Sequence, residues 1–451
     1  MFGVKRVGKD NISTVTKIAV PAMIESFFSS FVALVDSFMV SSLGESAVAA
    51  VGLTGQPKLV VIGIFSAFSV AVSALVARRF GEKRRDAANA VMLTTLLMVF
   101  LLSVVFAVVT IAFAPQIMLL CGANSDTLVP SVDYYRIIMA GTIFNSVQFI
   151  LNAAQRGCGN TKITMITNTV ANVVNVIFNY LLIGGKFGFP ALGVRGAAIA
   201  TTIGAVAAAT VSIWFASRSG VFVNFVYIIR EKIRPGIEAV KNVMKLAYGV
   251  VAENLLMRVG FMASALIAAD MGTAPFAAYQ VAMQILSLSF AFGDGLQQAA
   301  IALVGRSMGE KEPDKAKGYV NTCQFIGMFI SAALIVIFFM MSRFVMEMFF
   351  DDAGTVEIGV NCLYVVIVIL LFHIRQIVNM GALRGAGDTF YTAVISMVCV
   401  TIVRTACCYI FAYTFGFGII GVWIGILSDQ VVRAIWSTIR FAGGKWMKIK
   451  V

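Results

Sequence analysis

The sequence predicts an all-α integral membrane protein with twelve transmembrane helices, arranged as two six-helix parallel repeats. Composition is the first basis for this prediction, because the 451 residues are 59% hydrophobic and only 13% charged, whereas soluble domains have near 25% charged residues. The second is a series of apolar blocks, each long enough to cross a bilayer with some tilt. The third is an internal duplication of the chain.

The apolar blocks follow one another along the whole chain and are separated by short polar connections. They cover residues 17–40, 52–77, 88–113, 133–155, 163–184, 194–217, 243–268, 276–305, 318–341, 358–383, 391–413 and 419–442. The run at the N-terminus is too long for the apolar region of a signal peptide, so it is expected to be the first span.

Basic residues mark the side of the membrane on which each connection lies. They concentrate at both termini and in the even-numbered connections: Lys5, Arg6, Lys9, Arg78, Arg79, Lys83, Arg84, Arg85, Arg156, Lys162, Arg218, Arg230, Lys232, Arg234, Lys241, Lys245, Arg306, Lys311, Lys315, Lys317, Lys445, Lys448 and Lys450. Because cytoplasmic loops carry an excess of Lys and Arg, both termini are expected in the cytoplasm. The expected location is the plasma (inner) membrane.

The remaining composition excludes several classes of function. The net charge of +13 is scattered between apolar blocks rather than gathered on one domain, so no nucleic-acid partner is expected. The seven cysteines lack metal-ligand spacing, and the single His comes without HExxH or CxxC, so no cofactor or metal centre is expected apart from a transported ion. The chain contains no GxxxxGK[ST] motif and no catalytic cluster. We therefore expect neither an ATP-driven pump nor an enzyme.

The duplication is visible as motifs that recur at one ungapped offset of 228 residues. ALVARRFGEK, starting at Ala74, recurs as ALVGRSMGEK from Ala302, and QRGCGNT, starting at Gln155, recurs as LRGAGDT from Leu383. Each half has six spans, so both halves enter and leave on one side and should be parallel repeats. The predicted division is an N-terminal lobe (1–217), a cytoplasmic linker (218–242) and a C-terminal lobe (243–451).

Two acidic side chains lie within the first block. Glu25 and Asp36 are 11 residues apart, which on a helix places both on one face, about 16 Å apart along the axis. A carboxylate in hydrocarbon costs several kcal/mol unless it faces a cavity or a partner, so an intramembrane acid indicates a functional site. Asp36 is the leading candidate, because a carboxylate can exchange a proton or bind Na⁺ through its oxygens.

Taken together, the motifs resemble those of the multidrug and toxic compound extrusion (MATE) family. The resemblance covers essentially the whole chain and rests on VDSFMVSSLGESAVAAVGL from Val35, GVRGAAIAT from Gly193 and the repeated motifs above. It implies a V-shaped, two-lobe transporter that exports organic, usually cationic, compounds in exchange for H⁺ or Na⁺. We expect a monomer whose partners are its small-molecule substrate and membrane lipid.

The resemblance also implies a coupling-ion site in the N-terminal lobe. Asp36 matches the family's acid on the first helix, and Asn175, Asn179 and Thr201 match its Asn, its second acid and its Thr. Asn179 is a departure from the pattern: an amide can ligate Na⁺ but cannot titrate, so the site would hold one carboxylate. The alternative is that the two amides only join neighbouring helices.

Further polar residues interrupt the apolar blocks. Glu253, the repeat mate of Glu25, matches an acid used in the C-terminal lobe by some branches of the family, and we expect it to face a cavity; the alternative for both acids is a structural contact. Asp294, between two glycines, is a candidate at an unwound turn or a close approach of helices. His373 and Arg375 are candidates for a proton relay or a charge partner.

A lipid-linked oligosaccharide flippase of a related superfamily branch is the alternative function. Such a flippase is expected to carry more cationic residues in its central cavity. This chain is expected to carry few intramembrane cations, namely Arg258, Arg375 and Arg404, which favours the antiporter.

Overall fold

The computed structural model describes residues 9–449, and every regular element in that range is a helix. Lys5, Arg6 and Lys450, which contribute to the predicted basic termini, lie outside the described residues. The first half of the chain forms eight α-helices: α1 (Lys9–Ser41), α2 (Glu45–Gly81), α3 (Arg85–Ala112), α4 (Ala114–Leu120), α5 (Leu128–Gly157), α6 (Thr161–Ile183), α7 (Gly193–Ala216) and α8 (Phe225–Arg230).

The second half forms seven more: α9 (Ile237–Asp270), α10 (Thr273–Gly309), α11 (Pro313–Phe349), α12 (Ala353–Ala386), α13 (Thr389–Ser396), α14 (Arg404–Tyr409) and α15 (Gly418–Ala442). Two π-helical segments, Met397–Val403 and Ile410–Thr414, lie on either side of α14. Single-turn 3₁₀ segments occur at Lys186–Gly188 and Lys445–Lys448.

Twelve helical stretches of the described chain are long and apolar enough to cross a membrane. Each predicted block lies almost entirely within one of them, so the predicted spans are confirmed. The short helices α4 and α8 were not predicted as separate elements. Helix α8 lies inside the predicted linker, and α9 begins at Ile237, earlier than the predicted block at 243.

The chain divides into two compact units. Ile24–Ala247 forms one, and the described residues up to Met23 together with those from Tyr248 onward form the other. The division falls within α1 because Val15, Ile18 and Ala19 are buried in the same hydrophobic core as Leu296 and Leu303. The predicted lobes kept all of α1 with the N-terminal half; their boundaries stay a prediction.

The helix bounds repeat the offset found in the sequence, which confirms the duplication. Helices α1, α2 and α3 begin at Lys9, Glu45 and Arg85, and α9, α10 and α11 begin 228 residues later, at Ile237, Thr273 and Pro313.

The repeated motifs form turns of the same backbone geometry. Lys83 and Lys311, which end the first pair of motifs, have φ angles of 59° and 61°. The second glycines of the other pair, Gly159 and Gly387, have φ angles of 83° and 94°. These values lie in the left-handed region that glycine enters at no steric cost. The halves therefore keep the same turn geometry where their sequences agree.

The first glycine of QRGCGNT and LRGAGDT allows two helices to approach closely. A Cβ atom on Gly157 would lie 2.7 Å from the carbonyl oxygen of Ser73 on α2. On Gly385, the repeat mate, it would lie 2.5 Å from the carbonyl oxygen of Ile301 on α10. Backbone atoms on both sides cannot move aside, so the contact requires glycine.

The arginine before each of these glycines pairs with the repeated glutamate. Arg156 Nη1 lies 3.8 Å from Glu25 Oε1, and Arg384 Nη2 lies 2.6 Å from Glu253 Oε1. Each glutamate also accepts a hydrogen bond from the helix that follows the motif: Glu25 from Asn168, and Glu253 from Ser396. These interactions are repeat mates, because 25, 156 and 168 become 253, 384 and 396 at the same offset.

We expect Gly385→Ala to lower the stability of the protein by about 1–3 kcal/mol, because the new methyl group overpacks the contact with α10. The thermal unfolding midpoint in detergent measures the effect. Gly52→Ala is the matched control, since Gly52 is also helical and a Cβ there meets nothing within 4 Å. An equal midpoint for both variants would contradict the close-approach argument.

We expect Arg384→Met to destabilise the protein by about 3 kcal/mol or more, because it leaves the carboxylate of Glu253, which is 1% exposed, without its charge partner. Adding Glu253→Gln to Arg384→Met should recover part of the loss. Arg195→Met, at the exposed pair with Asp133, is the control and should cost at most about 1 kcal/mol. Thermal unfolding measures all three, and a similar loss at Arg195 would oppose this interpretation.

Candidate functional site

The carboxylate of Asp36 on α1 faces α6 and is held there by two amides. Asn179 Nδ2 donates a hydrogen bond to Asp36 Oδ1 at 2.6 Å. The Asn175 amide is oriented with its nitrogen toward Asp36 and its oxygen toward Thr201. In this orientation Asn175 Nδ2 donates to Asp36 Oδ1 at 2.9 Å and to Oδ2 at 3.1 Å. The spacing of four residues places both amides on the face of α6 that contacts Asp36.

Thr201 on α7 completes the cluster around Asp36. In the same orientation, the side-chain oxygen of Asn175 lies 3.3 Å from Thr201 Oγ1, which also donates to the carbonyl of Ala197 at 3.0 Å. The structure thus brings Asp36, Asn175, Asn179 and Thr201 together within one unit. We call these four residues the Asp36 cluster.

The Asp36 cluster offers oxygen ligands suited to a small hard cation. The buried Oδ1 atom of Asn179 has no hydrogen-bond partner among the described residues, and an orphaned buried oxygen of this kind calls for an explanation. A monovalent cation bound by that oxygen, the Asp36 carboxylate and Thr201 would explain the unpaired oxygen, because hard cations prefer oxygen ligands. With one carboxylate, the site can neutralise one monovalent charge.

Beside this cluster lies a cation that was not predicted from the sequence. The ammonium charge of Lys58 on α2 acts on Asp36, and Lys58 lines a cavity of about 200 Å³ together with Thr201. Lys58 lies within an apolar block, so the rule that singles out intramembrane acids also applies to it. The intramembrane cations counted from the sequence, whose small number weighed against the flippase, therefore did not include Lys58.

Helices α1 and α6 are joined by polar contacts along much of their length. Thr164 Oγ1 donates to Glu25 Oε2 at 2.9 Å, Asn172 Nδ2 donates to Ser29 Oγ at 3.3 Å, and the Asp36 contacts lie further along. Glu25 and Asp36 thus face the same neighbouring helix, as their spacing implies. Residue numbers increase together on the two helices, which therefore run parallel.

Glu253 lies in a different environment from the one predicted. We expected a cavity, because no partner within its own helix was available. The structure instead buries Glu253 against Arg384 of α12 and Ser396 of α13. Since guanidinium does not lose its proton in proteins, this geometry favours the structural alternative for Glu253. The same argument applies to Glu25 and Arg156.

The position that corresponds to Thr201 in the second half is Asp429, and arginines surround it. Arg404 Nε donates to Asp429 Oδ2 at 2.8 Å, and Arg433 Nε donates to Asp429 Oδ1 at 3.1 Å. All three side chains are buried. Arg404, which the sequence identified as an intramembrane cation, is thus paired with Asp429. This carboxylate is compensated by charges that cannot leave.

The three remaining candidates lie in the unit that contains most of the second half of the chain. Asp294 is an exposed residue of α10, which runs unbroken there. A Cβ on the neighbouring Gly295 would lie 2.6 Å from the backbone nitrogen of Met23 on α1. The predicted close approach is therefore present and the unwound turn is not. His373 is fully buried, with Nδ1 3.4 Å from Gln430 Oε1. Arg375, two residues on, is exposed.

Comparison with known proteins identifies the family. The MatE family model matches residues 21–181 and 250–410, once in each half of the chain. The probable multidrug resistance protein NorM of Thermotoga maritima is 24% identical over 432 residues, which cover 96% of this chain and 92% of the relative. The probable multidrug resistance protein YoeA of Bacillus subtilis is 26% identical over 408 residues, with 90% and 88% covered.

The fold agrees with solved structures. One of them, described as the outward-facing conformation of a multidrug resistance MATE family transporter, matches with a TM-score of 0.89 at 21% identity and covers 98% of both chains. The two family matches together account for more than half of the chain. This multi-pass membrane protein therefore belongs to the MatE family, the multidrug and toxic compound extrusion (MATE) transporters.

Proposed function

We propose that the protein is a secondary active antiporter that exports organic, amphipathic and usually cationic compounds in exchange for H⁺ or Na⁺. The observation that carries the proposal is the single carboxylate of Asp36, held by the amides of Asn175 and Asn179 and compensated by no arginine among the described ion pairs. The relatives described as probable multidrug resistance proteins support the substrate class.

The Asp36 cluster is the coupling-ion site in this proposal. A proton or Na⁺ at Asp36 neutralises the carboxylate, and Asn179 Oδ1 and Thr201 add neutral oxygen ligands for Na⁺. An ion shifts the equilibrium between two conformations by as much as its affinity for them differs, and substrate shifts it the other way. A membrane potential supplies about 2.3 kcal/mol per charge per 100 mV.

The other acids have different roles in this mechanism. Glu25 and Glu253 hold helices together through arginines that cannot release their protons, so exchange of a coupling ion at either carboxylate would leave a buried guanidinium uncompensated. Asp294, His373 and Arg375 remain candidates for polar contacts along the substrate route.

The setting of the transporter is also part of the proposal. The basic residues of the even-numbered connections support cytoplasmic termini. Export from the cytoplasm then requires the plasma membrane. We propose that a monomer suffices, because the Asp36 cluster is formed within one chain.

We expect Asp36→Asn to abolish gradient-driven transport in proteoliposomes, because an amide at this position cannot be neutralised by the coupling ion. Uptake of a cationic dye such as ethidium into inside-out-oriented vesicles is measured under an imposed H⁺ or Na⁺ gradient, and the gradient that drives transport names the ion. Asp126→Asn, which changes an exposed loop carboxylate, should transport like the wild type.

Two outcomes would contradict this proposal. Wild-type rates in Asp36→Asn would show that the carboxylate is structural. Absence of dye transport in the wild type under either gradient would remove the antiporter and favour the flippase alternative.

A further inference from the structure

Lys58 is an ionisable residue deep within a membrane span. It lies 13 residues after the first residue of α2, about 20 Å along the axis. A lysine at this depth is costly unless it faces a cavity or a counter-charge. None of the salt bridges formed by the described residues includes Lys58. Asp36 is the acid whose charge acts on Lys58, and its carboxylate already accepts hydrogen bonds from Asn175 and Asn179.

The cavity that Lys58 lines has a polar side and an apolar side. Its volume is about 200 Å³, and Ile62, Ile138 and Phe149 provide the apolar wall. On the polar side, the Thr142 hydroxyl donates to a backbone carbonyl within its own helix, at 2.6 Å, so its hydrogen is not available to a ligand. Asn145 lines the cavity without a hydrogen bond to another described residue. The available donors are the Lys58 ammonium and the Asn145 amide.

We propose that this cavity is a binding site for small amphipathic monoanions, with the ligand's carboxylate on Lys58 and Asn145 and its apolar part against Phe149 and the isoleucines. Two donors, one of them charged, match the two oxygens of a carboxylate. The volume suits a compound of one aromatic ring. This site goes beyond the proposed export of cations and does not depend on it.

The site is linked to the Asp36 cluster by charge and by a shared residue. The charges of Lys58 and Asp36 act on each other, and Thr201 belongs to the cluster and also lines the cavity. An anion on Lys58 would offset the ammonium charge, so Asp36 would then bind a cation more tightly. By reciprocity, a neutralised Asp36 strengthens binding of the anion by the same factor.

Binding of benzoate, benzamide and benzylammonium to the full chain in nanodiscs tests the proposal, because the three probes have similar size and differ in charge. Titration calorimetry at neutral pH should show saturable binding of benzoate and much weaker binding of the other two. Lys58→Met should weaken benzoate binding about tenfold or more, as expected for loss of a charge-assisted hydrogen bond. Lys58→Arg should retain the preference for benzoate.

Asp36→Asn serves as a mimic of the neutralised site and should bind benzoate about fivefold more tightly or better. That gain should disappear when Lys58→Met is added. Lys162→Met, at an exposed position near the start of α6, is the control and should bind like the wild type.

Equal binding of the three probes, or equal affinities for Lys58→Met and Lys162→Met, would overturn the anion site. Tighter binding to Asp36→Asn that persists in the double variant would overturn the link between the sites. Both results leave dye export by the Asp36 cluster intact, so failure of this inference is distinguishable from failure of the proposed function. Unfolding midpoints close to the wild type in every variant ensure that a loss reports on the site.

Discussion

The cost of a charge in the membrane is the constraint on which the rest of this structure depends. A charged group in hydrocarbon must be paired, face water or give up its charge. Glu25, Glu253 and Asp429 are paired with arginines on other helices or on the next turn. Their compensation is permanent, since a guanidinium keeps its proton. These pairs fix how the helices pack, because breaking one would leave an uncompensated buried charge.

Asp36 is satisfied in another way, and the coupling role that we propose for it rests on that difference. Neutral amides hold the carboxylate in position without cancelling its charge. The nearby ammonium of Lys58 acts on it without forming one of the described ion pairs. Our proposal that a mobile cation or proton neutralises Asp36 and leaves again rests on this difference.

The two halves carry different residues at the positions of the Asp36 cluster. The repeat mates of Asp36 and Asn179 are Ser264 and Cys407, neither of which offers a carboxylate or an amide. The mate of Thr201 is Asp429, which binds Arg404 and Arg433. In the second half, the position that corresponds to Thr201 of the proposed ion site therefore holds a carboxylate that is paired with arginines. The glutamate–arginine pairs, by contrast, are present in both halves.

Much of this arrangement follows from local sequence. Apolar length predicts the spans, the 11-residue spacing places Glu25 and Asp36 on one face, and the offset of 228 predicts matching turns. Pairs between residues on distant helices cannot be predicted from local sequence. Arg384 is 131 positions from Glu253, and the sequence around neither residue indicates the pair. Lys58 is a different case, since its signal, a charge inside an apolar block, is local and could have been found. The grouping of the start of α1 with the C-terminal core depends on tertiary packing alone.

Direct measurement of cation binding to the purified protein tests most directly the claim that Asp36 is the exchangeable site. Proton uptake and Na⁺ titration calorimetry, each compared with choline as an inert cation, give the number of cations bound per chain. The account predicts one H⁺ or Na⁺ in the wild type and none in Asp36→Asn. A second cation in the wild type, or one that still binds to Asp36→Asn, would contradict it.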